Sequence, residues 1–217
     1  MPALADLRWR NNPPRGTSVC GGFDGSDNDD FTVIKLETKA GLIFTPRYGP
    51  DKLPTVWNPV DWGGRIPHDE VDAAWDEIVG RYDVRRVYCD PGFRDEMSWE
   101  SDIERWATTW PDAKGDPKRF IPWQMSGSHR RRAVYKALKR FEADLEGRHI
   151  THDGCPITST HLINARKVAW PSEMYGLMKA TQRQKIDAGI TAILAHEAAA
   201  DERAAGWPQD EDEYVWF

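Results

Sequence analysis

The chain reads as an α/β domain: a mixed sheet of three antiparallel strands followed by α/β units, flanked by helices. Two observations give that class. First, the β-rich segments TSVCGGFD, DFTVIKLET and AGLIFTPRY follow one another with only GSDND and a turn from Lys39 to Gly41 between them, which makes them antiparallel neighbours. Second, from residue 67 onward helical and β-rich patterns alternate, and the last of them is a long helical stretch, QKIDAGITAILAHEAAADERAAG.

Each element has its own signal. Residues 1–17, ending in NNPPRG, are polar and suit a linker or tail, so the folded domain is expected over 18–203, with an acidic and aromatic tail over 204–217. The Pro-, Trp- and Gly-rich stretch from Gly49 to Ile66 reads as an irregular loop. Pro67, Asp69 and Glu70 then mark a helix start, with acids at the positive end of the dipole, and Val71, Trp75, Ile78 and Tyr82 keep its period. VRRVYCD is the fourth strand and stops at Asp90-Pro91, because proline cannot continue a ladder. Ser98 is placed to cap a helix with Trp99, Ile103, Trp106 and Trp110 on one face, and RFIPW offers a fifth strand. Val134, Leu138, Phe141 and Leu145 stripe a helix from Ser128 to Glu146, with Gly147 as its stop. The following stretch, through Trp170, is mixed, with a short helix near His161.

Composition narrows the function classes. A formal net charge of -6 and a pI near 5.5 exclude a protein that coats nucleic acid through a uniform positive field. They are compatible with a carboxylate-lined metal site and local basic patches. Cys20, Cys89 and Cys155 have neither CxxC spacing nor an even count, so they read as small buried residues rather than a zinc site or disulfide framework. The opening MPALADLRWR has no apolar stretch of signal-peptide length and no segment approaches a membrane span, which points to a cytoplasm and no membrane partner.

Three acids fall where chemistry would need them. Asp24 closes the first strand, Asp90 closes the fourth, and Asp187 lies early on the last helix, so acids distant in sequence can meet at one rim of the sheet. Magnesium and manganese take oxygen ligands, and carboxylates converging from separate elements supply them. Asp-Gly and Asp-Pro are also ordinary turn formers, and an acid in a first helical turn is favoured by the dipole. Asp187 departs from that bland reading, because Ile190 and Leu194 place it on the buried stripe, where unpaired carboxylates are rare. Gly189, costly in a helix interior, signals close approach of another element or a ligand.

From about Val19 to Ala200 the chain resembles the nuclease domain of the large terminase subunit of tailed bacteriophages, an RNase H-like and RuvC-like superfamily. The resemblance rests on GFDGSDNDDFTVI at the first hairpin, VYCDPGF at the fourth strand, HLINAR before the last helix and KIDAGITAILAHEA on it. It implies that Asp24, Asp90 and Asp187 are catalytic metal ligands for Mg²⁺ or Mn²⁺, two ions clamping the scissile phosphate of double-stranded DNA and leaving a 5′-phosphate. It further implies a viral genome-packaging role in the cytoplasm of an infected bacterial host. The implied partners are a concatemeric viral genome, a terminase ATPase domain, a small terminase subunit and a portal. No GxxxxGK[ST] phosphate loop occurs in the sequence, so the ATPase motor is expected on a separate or excised part.

Supporting residues are also implied. Arg130, Arg131, Arg132, Lys136 and Lys139 lie largely off the apolar stripe of their helix and, with Lys185, are candidates for DNA phosphate contact; a solvated charged face is the alternative. His161, Asn164 and His196 are candidate auxiliaries. Of the eleven tryptophans, Trp75, Trp99, Trp106 and Trp110 belong to core positions, whereas Trp57 and Trp62 could pack or meet DNA. A RuvC-like resolvase, another RNase H-like nuclease and a non-catalytic DNA-binding or assembly module are the competing readings.

Overall fold

The computed structural model describes residues 12–26, 30–92, 99–111 and 119–208. Its strands are β1 (Ser18–Asp24), β2 (Thr32–Thr38), β3 (Leu42–Phe44), β4 (Arg47–Tyr48), β5 (Leu53–Pro54), β6 (Val56–Trp57), β7 (Asp83–Asp90), β8 (Phe120–Pro122), β9 (Thr151–His152), β10 (Ala165–Trp170) and β11 (Met174–Lys179). Its α-helices are α1 (His68–Arg81), α2 (Glu100–Thr109), α3 (Arg131–Glu146), α4 (Pro156–Asn164) and α5 (Asp187–Ala204). The main sheet runs β8-β7-β1-β2-β3-β9, with β6 added to β2. β1, β2 and β3 are antiparallel neighbours, whereas β7 and β8 lie parallel to β1 and to each other. This is the mixed sheet that the sequence predicts.

Alternation along the strands assigns the two faces. Val19 and Phe23 of β1, Ile34 and Leu36 of β2, and Val87 and Cys89 of β7 pack with Trp75 and Ile78 of α1 and with Ile103 and Trp106 of α2. On the other face Cys20 and Tyr88 meet Leu138 and Phe141 of α3 and Ala192, Ile193 and Ala198 of α5. The tryptophans of α1 and α2 are core, and the three cysteines are free and buried.

α5 is the centre of this second layer. Every residue from Asp187 to Ala199 except Ile190 is buried, so the helix is enclosed by sheet, α3 and α4 instead of presenting one stripe. Gly22 permits that enclosure: a Cβ there would stand 2.3 Å from the Thr191 carbonyl oxygen and 2.6 Å from the Ala195 nitrogen. Gly189 plays the same part toward α4, where its Cβ would meet Leu162 at 3.0 Å.

Several elements differ from expectation. The stretch from Gly49 to Ile66 is not one loop: it holds β5, β6 and a 3-10 helix at Pro59–Trp62, and Trp57 is buried on β2 with its indole N–H donating to the Tyr48 hydroxyl at 2.8 Å. Such two-residue strands carry no readable period. Ser98 lies outside the described residues, and α2 begins at Glu100. Residues Ser128–Arg130 form a 3-10 turn ahead of α3, Leu145 is exposed, and it is Arg148 that takes the left-handed conformation (φ 59°), Gly147 staying helical at φ -71°. The mixed stretch after α3 contains α4, as expected, and then a separate hairpin of β10 and β11 that its half-exposed residues had concealed.

At the margins, Asn12 bonds the Thr45 carbonyl at 3.0 Å and accepts from the Arg47 amide at 2.9 Å. Trp207 is buried, its indole N–H reaching the Ser18 hydroxyl at 2.9 Å.

Candidate metal centre

Asp24 and Asp90 are direct register partners at the ends of the parallel pair β1 and β7, so both side chains project on the α5 face. Asp187 opens α5 against the same rim, beside Ala188, which packs on Val33, the β2 partner of Asp24. One strand pair and one helix start thus bring together three acids separated by up to 163 positions in the sequence.

Their anchoring is specific. The Asp90 carboxylate accepts from the backbone amides of Gly92 at 3.3 Å and Met125 at 3.2 Å, and Asp187 accepts from the Phe31 amide at 3.1 Å. Burial raises the pKa of all three. Asp24 stands well above the usual carboxylate range, first through desolvation and then through repulsion from Asp90, Asp187 and Asp30. Asp90 is raised by burial against the pull of those two amides and the charge of Arg130. Asp187 is pushed up to about 6 by burial and by Asp30. A site that strains to hold its own negative charge is suited to a compensating cation.

The donor set fits Mg²⁺ or Mn²⁺ in chemistry: hard carboxylate oxygens from rigid elements, with mutual repulsion that a divalent ion would relieve. Among the described residues, no three His, Cys, Asp or Glu side chains are drawn in tightly enough to hold an ion as they stand.

Two residues that sequence reasoning missed sit in this centre. Asp30 pairs with Lys179, at the end of β11, and with Lys185 at 2.8 Å, so a fourth carboxylate is held between two lysines that bracket the approach to Asp187. Its pKa is lowered, the two lysine hydrogen bonds outweighing the effect of burial. Asp30 was hidden within the turn-like run DGSDNDD and Lys179 within the unrecognised hairpin; the alternation of MYGLMK after PSE was the available signal.

The remaining predicted residues divide. His161 is buried beside the centre, accepts the Ala188 amide at 3.0 Å and packs edge-on to Phe31; burial, then the charge of Lys35, lowers its pKa to about 4. Lys35 is itself buried on the α5 face and donates to the Thr45 hydroxyl at 2.5 Å. Asn164 donates to the Lys185 carbonyl at 2.9 Å, fixing the chain two residues ahead of Asp187. His196 lies nine residues along α5, about 13 Å by helical rise, clamped between Glu37 at 2.9 Å and Asp144 at 3.0 Å. Both of its ring nitrogens are thus engaged within the packing of α5. On α3, Arg131 lies over the Trp170 ring at 5.8 Å, and Arg132, Lys136 and Lys139 are exposed; Arg130 stands nearer the centre.

The class this defines is an α/β domain with a mixed sheet flanked by helices and carboxylates at the sheet rim. More particularly, the fold is that of large terminase nuclease domains. The large terminase nuclease of thermophilic phage G20c with bound magnesium superposes with a TM-score of 0.58 at 16% identity, covering 88% of this chain and 90% of that one. The HK97 bacteriophage large terminase gives 0.59 at 17%, covering 91% and 41%. The Thermus phage P74-26 large terminase nuclease domain gives 0.54 at 17%, covering 92% and 84%. The G20c nuclease is also similar in a form with bound cobalt, at a TM-score of 0.56 and 16% identity over 88% of this chain and 90% of that one. In sequence, the chain is 30% identical over 194 residues to the Gene 13 protein of Mycobacterium phage D29 and 29% identical to that of phage L5. Those matches cover 86% of this chain and 30% of each relative, so the chain spans under a third of their length. No family model matches the chain.

Proposed function

We propose that this chain is a divalent-metal-dependent endonuclease that cleaves double-stranded DNA during viral genome packaging in the infected bacterial cell. The observation that carries the reading is the meeting of Asp24, Asp90 and Asp187, from two paired strand ends and a helix start, with the pKa of each raised. The fold shared with the terminase nucleases, one of them with bound magnesium, supports it.

In this reading the three aspartates would hold Mg²⁺ or Mn²⁺, two ions at their shared rim, and the metal would supply an activated water and Lewis-acid stabilisation. The chain's residues do the rest. Amides of Gly92 and Met125 anchor the Asp90 carboxylate and the amide of Phe31 anchors that of Asp187 at the rim. Neutral His161 holds the start of α5 in place through Ala188. Lys179 and Lys185 on one side, and Arg131, Arg132, Lys136 and Lys139 on α3, provide cations for backbone phosphates. Water attacks phosphorus, the P–O3′ bond breaks, and 5′-phosphate and 3′-hydroxyl ends result. A terminase ATPase, a small terminase subunit and a portal complete the proposed assembly.

The test is plasmid cleavage in Mn²⁺ by the wild-type chain and by Asp90→Asn. Loss of cleavage by the folded variant is expected, and undiminished cleavage overturns the assignment. Action on branched junctions with little on linear duplex would redirect the reading to a resolvase.

A further inference from the structure

Arg130 differs from the other basic residues near the centre in how it is held. The chain leaves β8 and makes a turn in which three consecutive residues each fix a neighbour. The Trp123 amide donates to the Cys89 carbonyl at 2.6 Å, tying the turn to the strand end beside Asp90. The Met125 amide donates to the Asp90 carboxylate at 3.2 Å. Between them, the Gln124 carbonyl accepts from Arg130 Nε at 3.2 Å, and the guanidinium carbon lies 4.5 Å from the centroid of the Trp123 ring. The turn that aims the Asp90 carboxylate therefore also aims Arg130.

The guanidinium is incompletely used. Its Nη2 is shielded from solvent and has no hydrogen-bond partner. A guanidinium presents five donors in a fixed fork, and a buried donor left unpaired is costly, so such an arrangement persists where something else completes it. Asp90 does not complete it in this structure: its oxygens accept from Gly92 and Met125, and Nη2 of Arg130 bonds neither of them. Glu197, which also feels the Arg130 charge, is bonded by Arg140 at 2.8 Å. What remains is an oriented cation with a spare donor beside a carboxylate centre, stacked on the Trp123 indole.

We propose that Arg130 grips a backbone phosphate of DNA at this centre, donating to a non-bridging oxygen of the scissile phosphodiester and neutralising charge that develops there during hydrolysis. The proposal rests on the nuclease reading above and gives this residue a role separate from the general phosphate contacts of α3. Lysine, a point charge without the fork, substitutes only in part.

The experiment compares wild type, Arg130→Gln and Arg130→Lys in Mn²⁺ cleavage of plasmid, in affinity for a duplex measured by anisotropy in Ca²⁺, and in thermal melting. For Arg130→Gln we expect a fall in kcat of about 30-fold, an affinity loss of about fivefold, and Tm and Mn²⁺ affinity near wild type. Arg130→Lys, or added guanidinium with Arg130→Gln, should recover part of kcat. Cleavage within twofold of wild type with unchanged duplex affinity would overturn the proposal, as would a joint fall of kcat and Tm with no recovery by lysine or guanidinium. If the wild type itself shows no metal-dependent cleavage, the nuclease reading fails; duplex affinity alone then decides whether Arg130 grips phosphate.

Discussion

Replacing Asp24 with Asn should stabilise the metal-free protein while removing its response to metal. Asp24 and Asp90 are register partners on adjacent strands, which stand about 4.8 Å apart. Two like charges about 5 Å apart at an effective dielectric constant near 20 repel by about 3 kcal/mol. Asp24 also feels Asp187 and Asp30. The pKa of Asp24 is raised first by burial and then by these neighbours, so part of the repulsion is already relieved by proton uptake and about 1 kcal/mol is a reasonable net relief. In a chain of this size 1 kcal/mol corresponds to about 2–4 °C in Tm. Asn fills the same volume and carries no charge. Metal acts in the opposite sense on the wild type: binding at about 100 times Kd adds about 2.7 kcal/mol, or roughly 5–10 °C. Thermal melting of both proteins with EDTA and with millimolar Mn²⁺ reads all four states. The expected pattern is a higher metal-free Tm for Asp24→Asn and a Mn²⁺ shift below about 2 °C. A variant that melts lower without metal and keeps the full Mn²⁺ shift would refute the reasoning.

Three further outcomes follow from other parts of the molecule. Gly22→Ala places a methyl against the backbone of α5, which has no flexible end to yield, and should cost about 3 kcal/mol or more in urea unfolding. His196→Ala leaves buried Glu37 without one partner and should cost about 2 kcal/mol; cleavage per folded molecule should be unchanged, because His196 lies far from the aspartates. His161, with its pKa lowered to about 4, should show imidazole NMR shifts that stay flat between pH 7 and 5. Its linkage runs one way: the unfolded chain takes up a proton near pH 6.5 and the folded chain does not until about 4, so this group removes stability as pH falls through that window. Asp187, raised to about 6, runs the other way, since the folded state binds its proton first and gains stability as pH falls below 6. Metal-free His161→Gln should therefore gain stability on acidification from pH 6.5 to 4.5 relative to wild type in urea titrations.

The parts of this fold that were legible in sequence are those whose burial repeats with a period. β1 to β3, α1, α2 and α3 each show several apolar residues at strand or helix spacing, and each is present. β5 and β6 were illegible because two residues cannot alternate, and the β10–β11 hairpin because both of its faces are half exposed. α5 was read correctly as a helix, yet its nearly complete enclosure follows from Gly22 on a distant strand, a tertiary fact with no local signature. In the centre, Asp187 announced itself by standing among apolar neighbours, and the structure buries it. Asp24 carries no such mark, and only its register with Asp90 explains its place. Asp30 and Arg130 depend on a hairpin and a turn that meet the rim from far along the chain, and charge counting along one helix does not separate Arg130 from Arg131 and Arg132.

The central claim is that Asp24, Asp90 and Asp187 hold the divalent ions of a nuclease. Anomalous diffraction from crystals soaked in Mn²⁺ tests it most directly. The account predicts manganese peaks between these three side chains, with carboxylate oxygens about 2.2 Å away. Peaks confined to other residues, in crystals of a chain that cleaves DNA in Mn²⁺, would contradict it.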